Sequence, residues 1–531
     1  MNNILILNLG TSKDLIMSSH LISSFKEEYP NSNISIVTYK EHAQIAKILS
    51  GVHTIHTIDS DFMQNVVNNP LYSDAFALNQ FAQDIEQISQ TTWHKVINYS
   101  NDTASSYLVN ALNTDGVIGT YINANGTAQA TDKWSTYQNF VMSKMNRLPI
   151  LIPAVRNHIA MTPMYTDVEK IKINSEYLFV ANQNFTRIRQ MNGGNAKYII
   201  GINLEVGYEG QTIDENAIKE IIEAVEESEE YKTVLLTSGK SYQKEIVNRL
   251  NAFFGNSLIT INVEAEALSS VITNIDALIS TANNQMMIAD ALEIRVIEVK
   301  NAITNFKTPS VVNPANYVVY ANDNNSIGSD IILALNEMFE TQLPITAMNS
   351  VNPIFISIKD DYGVYFTQIR GELDILQEIN YHLARAIQFE IMGYPKNDEL
   401  VTHIKNNTLA ADIASYSNEI KTELTEAVKT LLSTLRSLKS ANSSKTSLNQ
   451  FINHLDQLIT MGAKDSIVGS IIRLFEGNIE NISSTSAADN MKEIETNLFA
   501  LKSNLQIVTN TVAALTEDSV KKTETKKQES V

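Results

Sequence analysis

No cysteine occurs anywhere in the 531 residues. That excludes disulfides, cysteine–zinc sites and thiol nucleophiles, and it suits a reducing cytoplasm, the expected location. Proline is scarce, at 10 residues, which argues against long flexible linkers. A basic balance is lacking too. The formal net charge is −19, so the surface repels phosphate backbones and anionic lipid, and no nucleic-acid partner is expected. Long apolar runs are missing: a stretch such as 148–155 falls far short of the roughly 20 residues that span a bilayer. The N-terminus carries no basic segment and reaches Asn8 after Ile4, Leu5, Ile6 and Leu7, which reads as a first strand and not a signal peptide. The nine histidines show no H-E-x-x-H or similar spacing, so no metal is expected. No G-x-S-x-G elbow is present, which leaves serine-hydrolase chemistry without support.

What is there is an ordinary globular balance, 44% hydrophobic and 19% charged, in a chain long enough for two to four domains. Short apolar or β-branched runs at 4–9, 34–39, 54–58, 96–99 and 116–122 alternate with helical patterns, as in parallel sheets with crossover helices. The alternation restarts near residue 175. Strands are expected at 177–181, 198–204, 233–237, 258–261, 277–280 and 296–299, with helices at 213–227, 241–254, 265–274 and 285–292. Beyond about 345 a small hairpin (353–358 and 364–367) precedes a long helix carrying Ile369, Leu373, Leu376, Ile379, Leu383, Ile387 and Ile391. Further helices are expected at 420–438, 448–461 and 491–515, with a shorter one near 467–475, and the charged stretch from 517 is expected to be disordered. The fold class is therefore α/β: two Rossmann-like domains (1–165 and 166–345), then a helical extension (346–515) and a tail (516–531). The helices are either a small bundle packed as core, or a partner or oligomerisation surface.

The most informative segment is Asn8-Leu9-Gly10-Thr11-Ser12-Lys13-Asp14, where a strand runs into a small-residue turn and a helix. It puts backbone N–H groups and a carboxylate at the edge of a parallel sheet where ligands bind. By itself Asp14 could simply be a helix-start carboxylate facing the helix dipole. The continuation Leu15-Ile16-Met17-Ser18-Ser19, Tyr29-Pro30 before a strand, Gly51-Val52-His53-Thr54-Ile55-His56-Thr57-Ile58-Asp59 and Trp93-His94-Lys95-Val96 resembles the opening of the heptosyltransferase-type, family-nine glycosyltransferases. The segment 268–292, ending in Ala289, Ala291 and Leu292, resembles that family's donor-binding stretch. The resemblance covers roughly residues 1–340 and leaves the C-terminal helices outside it.

The resemblance implies a GT-B fold and an inverting, metal-independent transfer of sugar from a nucleoside-diphosphate sugar to a hydroxyl. The acceptor would be a glycolipid or a protein, such as a surface or flagellar subunit. No cofactor is implied beyond the sugar donor as co-substrate. Asp14 would be the catalytic base, with Thr11, Ser12 and Lys13 on the acceptor side and Lys240, Asn283, Asn284 and Gln285 toward the donor. The donor stretch departs from the pattern. Ala282 replaces an aspartate, Asn283-Asn284 a Thr-Gly, and Met287 a histidine, and the lysine expected near 207–211 has no match. Lys240 also reads as a solvated loop lysine, and Asn283–Gln285 as a polar helix cap. A catalytically inactive scaffold of the same fold is the alternative.

Overall fold

The computed structural model describes residues 2–68, 74–100, 102–163, 167–191, 196–301, 308–323, 326–345, 352–371, 374–441 and 444–528. The chain forms two compact units. One comprises Met1–Ser100, Ala111–Val117 and Leu151–Glu372, and the other Asn101–Asn110, Ile118–Ile150 and Leu373–Val531.

The first unit holds both α/β layers. Its N-terminal sheet pairs β1 (Asn3–Leu7), β2 (Asn33–Tyr39), β3 (Val52–Ile58) and β4 (Lys95–Asn98) in parallel, in the order β3-β2-β1-β4. Ile4, Leu5, Ile6 and Leu7 are all buried, because a strand covered on both faces has no solvent side. Helix α1 (Ser12–Glu28) follows β1, and α2 (Ile152–Ala160) packs against it. Next comes α3 (Ser175–Arg189), where the sequence reading expected a strand at 177–181. The Asn174 side chain accepts from the N–H of Glu176 at 3.0 Å, and Ala181, Phe185 and Ile188 are the buried residues. A β-rich window of five residues hid this longer helical period.

The second sheet contains β5 (Tyr198–Asn203), β6 (Tyr231–Thr237), β7 (Ile259–Asn262), β8 (Ala277–Ser280), β9 (Arg295–Asn301) and β10 (Tyr317–Ala321). All are parallel, ordered β7-β6-β5-β8-β9-β10, which is the doubly wound Rossmann arrangement. Helices α4 (Glu215–Glu226), α5 (Ser241–Phe253), α6 (Asn284–Ala291) and α7 (Ile327–Phe339) connect or cover these strands. Ile218, Ile221, Ile222 and Val225 of α4 join Ile200, Ile202 and Ile279 of the sheet in one core. The hairpin β11 (Ile354–Asp360) and β12 (Gly363–Arg370) adds antiparallel to β10. Ile369 lies in β12, so it does not belong to the helical stripe; Leu373 lies outside the described residues.

The second unit is mainly helical: α8 (Ile375–Ile391), α9 (Ala410–Ser440), α10 (Lys445–Met461), α11 (Ile467–Glu480) and α12 (Ala487–Gln528) are its main helices. The charged stretch from 517, expected to be disordered, continues α12 as far as Gln528. Asp374 caps α8, and Ile379, Leu383 and Ile387 are buried inside the unit, so this stripe is core. Residues 118–150, placed by the sequence reading in the N-terminal domain, pack with these helices. Arg147 pairs with Glu378, its guanidinium lies 3.6 Å from the centre of the Tyr381 ring, and Arg385 donates to the Pro149 carbonyl at 2.9 Å. No helix among the described residues is long and apolar enough to cross a membrane.

Candidate functional site

In both sheets the strand order reverses beside the first strand, between β1 and β4 and between β5 and β8, and loops at the carboxyl ends of such strands form ligand crevices. On the N-terminal sheet the loop after β1 carries the expected residues. Thr11 is the N-cap of α1: its Oγ1 accepts from the Asp14 N–H at 3.3 Å, and Asp14 Oδ2 accepts from the Thr11 N–H at 3.1 Å and its hydroxyl at 2.8 Å. This is a reciprocal capping box, with aspartate in the usual glutamate position. Gly10 leaves it room, since a Cβ there would lie 2.8 Å from Asp14 Oδ2 and displace the carboxylate.

A residue outside the sequence expectations completes the arrangement. Arg156 of α2 is buried and donates to Asp14 Oδ1 at 2.9 Å and to the Asp14 carbonyl at 3.0 Å, while its guanidinium lies over the Tyr99 ring at 4.2 Å. Ser18 donates to the same Asp14 carbonyl at 2.8 Å and is in close hydrogen-bond contact with the Tyr99 hydroxyl. Burial raises the Asp14 pKa, but Arg156 and the Thr11 hydrogen bonds outweigh it and hold the carboxyl below its ordinary value. A carboxylate has about four lone-pair sites. Three are occupied by these donors, and the side chain keeps 31% of its surface exposed.

Ser12 and Lys13 face the second sheet. The Tyr208 hydroxyl, on the loop after β5, donates to Asn284 Oδ1 at 2.7 Å, and Ser12 is close enough to temper the rise of its pKa. Burial, and then the Asp14 charge, push the Tyr208 hydroxyl up. Lys13 donates to Ser310 Oγ at 3.0 Å; burial lowers its pKa, opposed by Glu298. Glu298 is fully buried and accepts from the N–H groups of Ser310 at 2.7 Å and Val311 at 3.1 Å, with Lys300 beside it at 3.4 Å. The structure therefore brings Asp14, Ser12, Lys13, Tyr208 and Asn284 to one interface between the two sheets.

Of the other expected donor residues, Lys240 and Asn283 are already engaged within the chain. Lys240 is ion-paired with Glu205, which also accepts from Ser238 Oγ at 2.6 Å and Gln243 Nε2 at 3.1 Å. Burial raises the Glu205 pKa, yet these donors bring it below its ordinary value. Asn283 is the N-cap of α6: its Oδ1 accepts from the Met286 N–H at 3.0 Å, and its amide donates to the Glu205 carbonyl at 3.3 Å. Gln285 is buried, and its Oε1 has no hydrogen-bond partner. Among the described residues, no group of three or more histidines, aspartates or glutamates could hold a metal.

Arg156, Glu205 and Tyr208 escaped the sequence reading. Arg156 did leave a trace, a lone cation in the apolar segment Ile152-Pro153-Ala154-Val155, and a buried guanidinium needs acceptors for its donors. Glu205 and Tyr208 left none, because only the strand order carries them to the crevice.

Two successive parallel sheets, each reversing its strand order beside the first strand, make a pair of Rossmann-like layers, the architecture of the GT-B type. Neither a family model nor a curated protein matches the chain. Among solved structures it is similar to the family 9 glycosyl transferase from Veillonella parvula, at 14% identity and a TM-score of 0.46, covering 64% of this chain and 97% of that one. It is also similar to E. coli ADP-heptose LPS heptosyltransferase II, at 13% identity and 0.43, covering 64% and 99%. E. coli heptosyltransferase WaaC, solved with ADP-2-deoxy-2-fluoro heptose, gives 12% and 0.41, covering 63% and 99%. These likenesses concern the fold.

Proposed function

We propose that this chain is an inverting glycosyltransferase that moves a sugar from a nucleoside-diphosphate sugar to a hydroxyl of a glycolipid or protein acceptor, without a metal. The observation that carries this reading is the state of Asp14. Its carboxylate is fixed by three donors, has one lone-pair direction left, and keeps 31% of its side-chain surface open. An acceptor hydroxyl donating to that remaining direction would be oriented for attack on the anomeric carbon, and Asp14 would take its proton as the new bond forms. A carboxylate held below its ordinary pKa is a weak base, which suits late transfer from a hydroxyl already made acidic by bonding to carbon. The departing diphosphate would lie toward the start of α6, whose dipole favours anions. Ser12 and Lys13 would border the acceptor.

A specific observation favours a second reading, a scaffold of the same fold without donor affinity. The Lys240 charge is spent on Glu205, and Ala282 and Met287 bring no charge to that edge. Thermal shift with a panel of nucleoside diphosphates and their sugars separates the two. Ligand at 100 times its dissociation constant adds about 2.7 kcal/mol of stability. A shift with a diphosphate sugar, followed by transfer to an acceptor hydroxyl, supports the enzyme; no shift with any member supports the scaffold.

A further inference from the structure

We propose that Glu205 sets the affinity of the donor edge, as a carboxylate of this chain that competes with a ligand's phosphate for the donors around Lys240. The proposal rests on the reading of this edge as the donor site and adds what controls entry to it. The segment Ser238-Gly239-Lys240 joins β6 to α5, with Gly239 at φ +79°. Strand, glycine turn and helix start are the elements from which proteins build anion cradles. Here the side-chain donors of this turn and of the first helical turn converge on one carboxylate. Ser238 Oγ (2.6 Å), Gln243 Nε2 (3.1 Å) and the Lys240 ammonium all donate to Glu205, and the Tyr242 hydroxyl lies 3.5 Å away. The carboxylate stands where an incoming phosphate oxygen would find the same hydrogen bonds.

Glu205 is also anchored from behind. Its backbone carbonyl accepts from Thr281 Oγ1 at 3.2 Å and Asn283 Nδ2 at 3.3 Å, which fixes the loop after β5 to the loop after β8. The Glu205 side chain is mostly buried, whereas that of Lys240 is about half exposed, so Lys240 is the partner able to leave. A diphosphate binding here must either take Lys240 from Glu205 or lie beside an unneutralised carboxylate. Both cost affinity, and both costs vanish when the residue is neutral.

The test is calorimetric titration of the full chain with ADP and with UDP, for the wild type, Glu205→Gln, and Glu205→Gln combined with Lys240→Ala. Glu205→Gln is expected to bind a nucleoside diphosphate at least about tenfold tighter than the wild type, and Lys240→Ala is expected to cancel the gain. A folded Glu205→Gln protein with no gain for either nucleotide overturns the proposal. Should its melting curve report unfolding, Glu205→Asp serves instead: one methylene shorter, it draws the charge back from Lys240. A smaller gain is then expected, and no gain is equally fatal. Sugar transfer by the wild type, assayed in parallel, separates this proposal from the functional reading. Transfer without a gain sinks only the role of Glu205, and a gain without transfer sinks only the transferase. Neither transfer nor gain removes both.

Discussion

Arg156 and Asp14 form an ion pair 2.9 Å long that ties the start of α1 to α2. The arginine is almost fully buried while the carboxylate keeps about a third of its side-chain surface open. One partner is thus a fixed support and the other remains available at the interface.

Asp14→Asn is expected to abolish sugar transfer, since the amide cannot accept the acceptor's proton. It is also expected to lower stability by about 2 kcal/mol, because it removes a charged capping residue and the counter-ion of Arg156. Denaturant unfolding and a transfer assay check both outcomes; turnover at the wild-type rate would end the role of Asp14 as base.

Arg156→Ala leaves the carboxylate in place and takes away its counter-charge. The acid limb of the rate profile is expected to move toward neutral pH, because the Asp14 pKa rises once the guanidinium is gone. In the wild type the folded pKa lies below the ordinary value of 3.8. The stabilising contribution is therefore complete above that value and disappears as pH falls through the folded one. Comparing urea unfolding of the wild type and Arg156→Ala from pH 7 to pH 2 should give a difference that shrinks only at the acid end. A gap of constant size throughout would mean that the pair contributes nothing electrostatic.

Gly10→Ala keeps every polar group and disturbs only their placement. The new methyl would meet Asp14 Oδ2 at 2.8 Å, so the carboxylate must shift. A drop in kcat of about a hundredfold is expected, the scale at which small misplacements act. Steady-state kinetics of the variant decide the matter, and unchanged kcat would show that the position of Asp14 is not limiting.

His20 on α1 is buried, and first burial, then the Lys170 charge, hold its pKa down at about 3. It is neutral in the folded chain, while the unfolded chain takes up a proton below about 6.5. Stability is therefore full above that pH and falls by about 1.4 kcal/mol per unit on the way toward 3. His20→Gln is expected to flatten this slope between pH 6 and pH 4. Equal slopes for both proteins in that window would refute it.

Arg147→Ala tests the second unit. Arg147 and Glu378 are each about nine-tenths buried, with the imidazole of His382 near the same carboxylate. Removing one partner of such a pair costs about 3–5 kcal/mol, so the variant is expected to unfold at markedly lower denaturant concentration. A change in midpoint within error would show that 118–150 does not hold the helices together.

The α/β class, most of the strands and the turn bearing Asp14 were legible in the sequence. A buried parallel strand is mostly apolar, and a helix start favours a capping residue, so both constraints are written locally. The failures were also local. The segment 177–181 carries β-forming residues but belongs to a helix set by the longer spacing of Ala181, Phe185 and Ile188. What the linear chain could not carry was the partner of each charge. Asp14 meets an arginine 142 residues away, and Lys240 meets a glutamate 35 residues earlier. The sequence determined which charges exist and which segments are strands. Only the tertiary structure decided which charges are spent on each other and which remain for a ligand, because pairing depends on strand order and loop approach, and neither leaves a periodic mark.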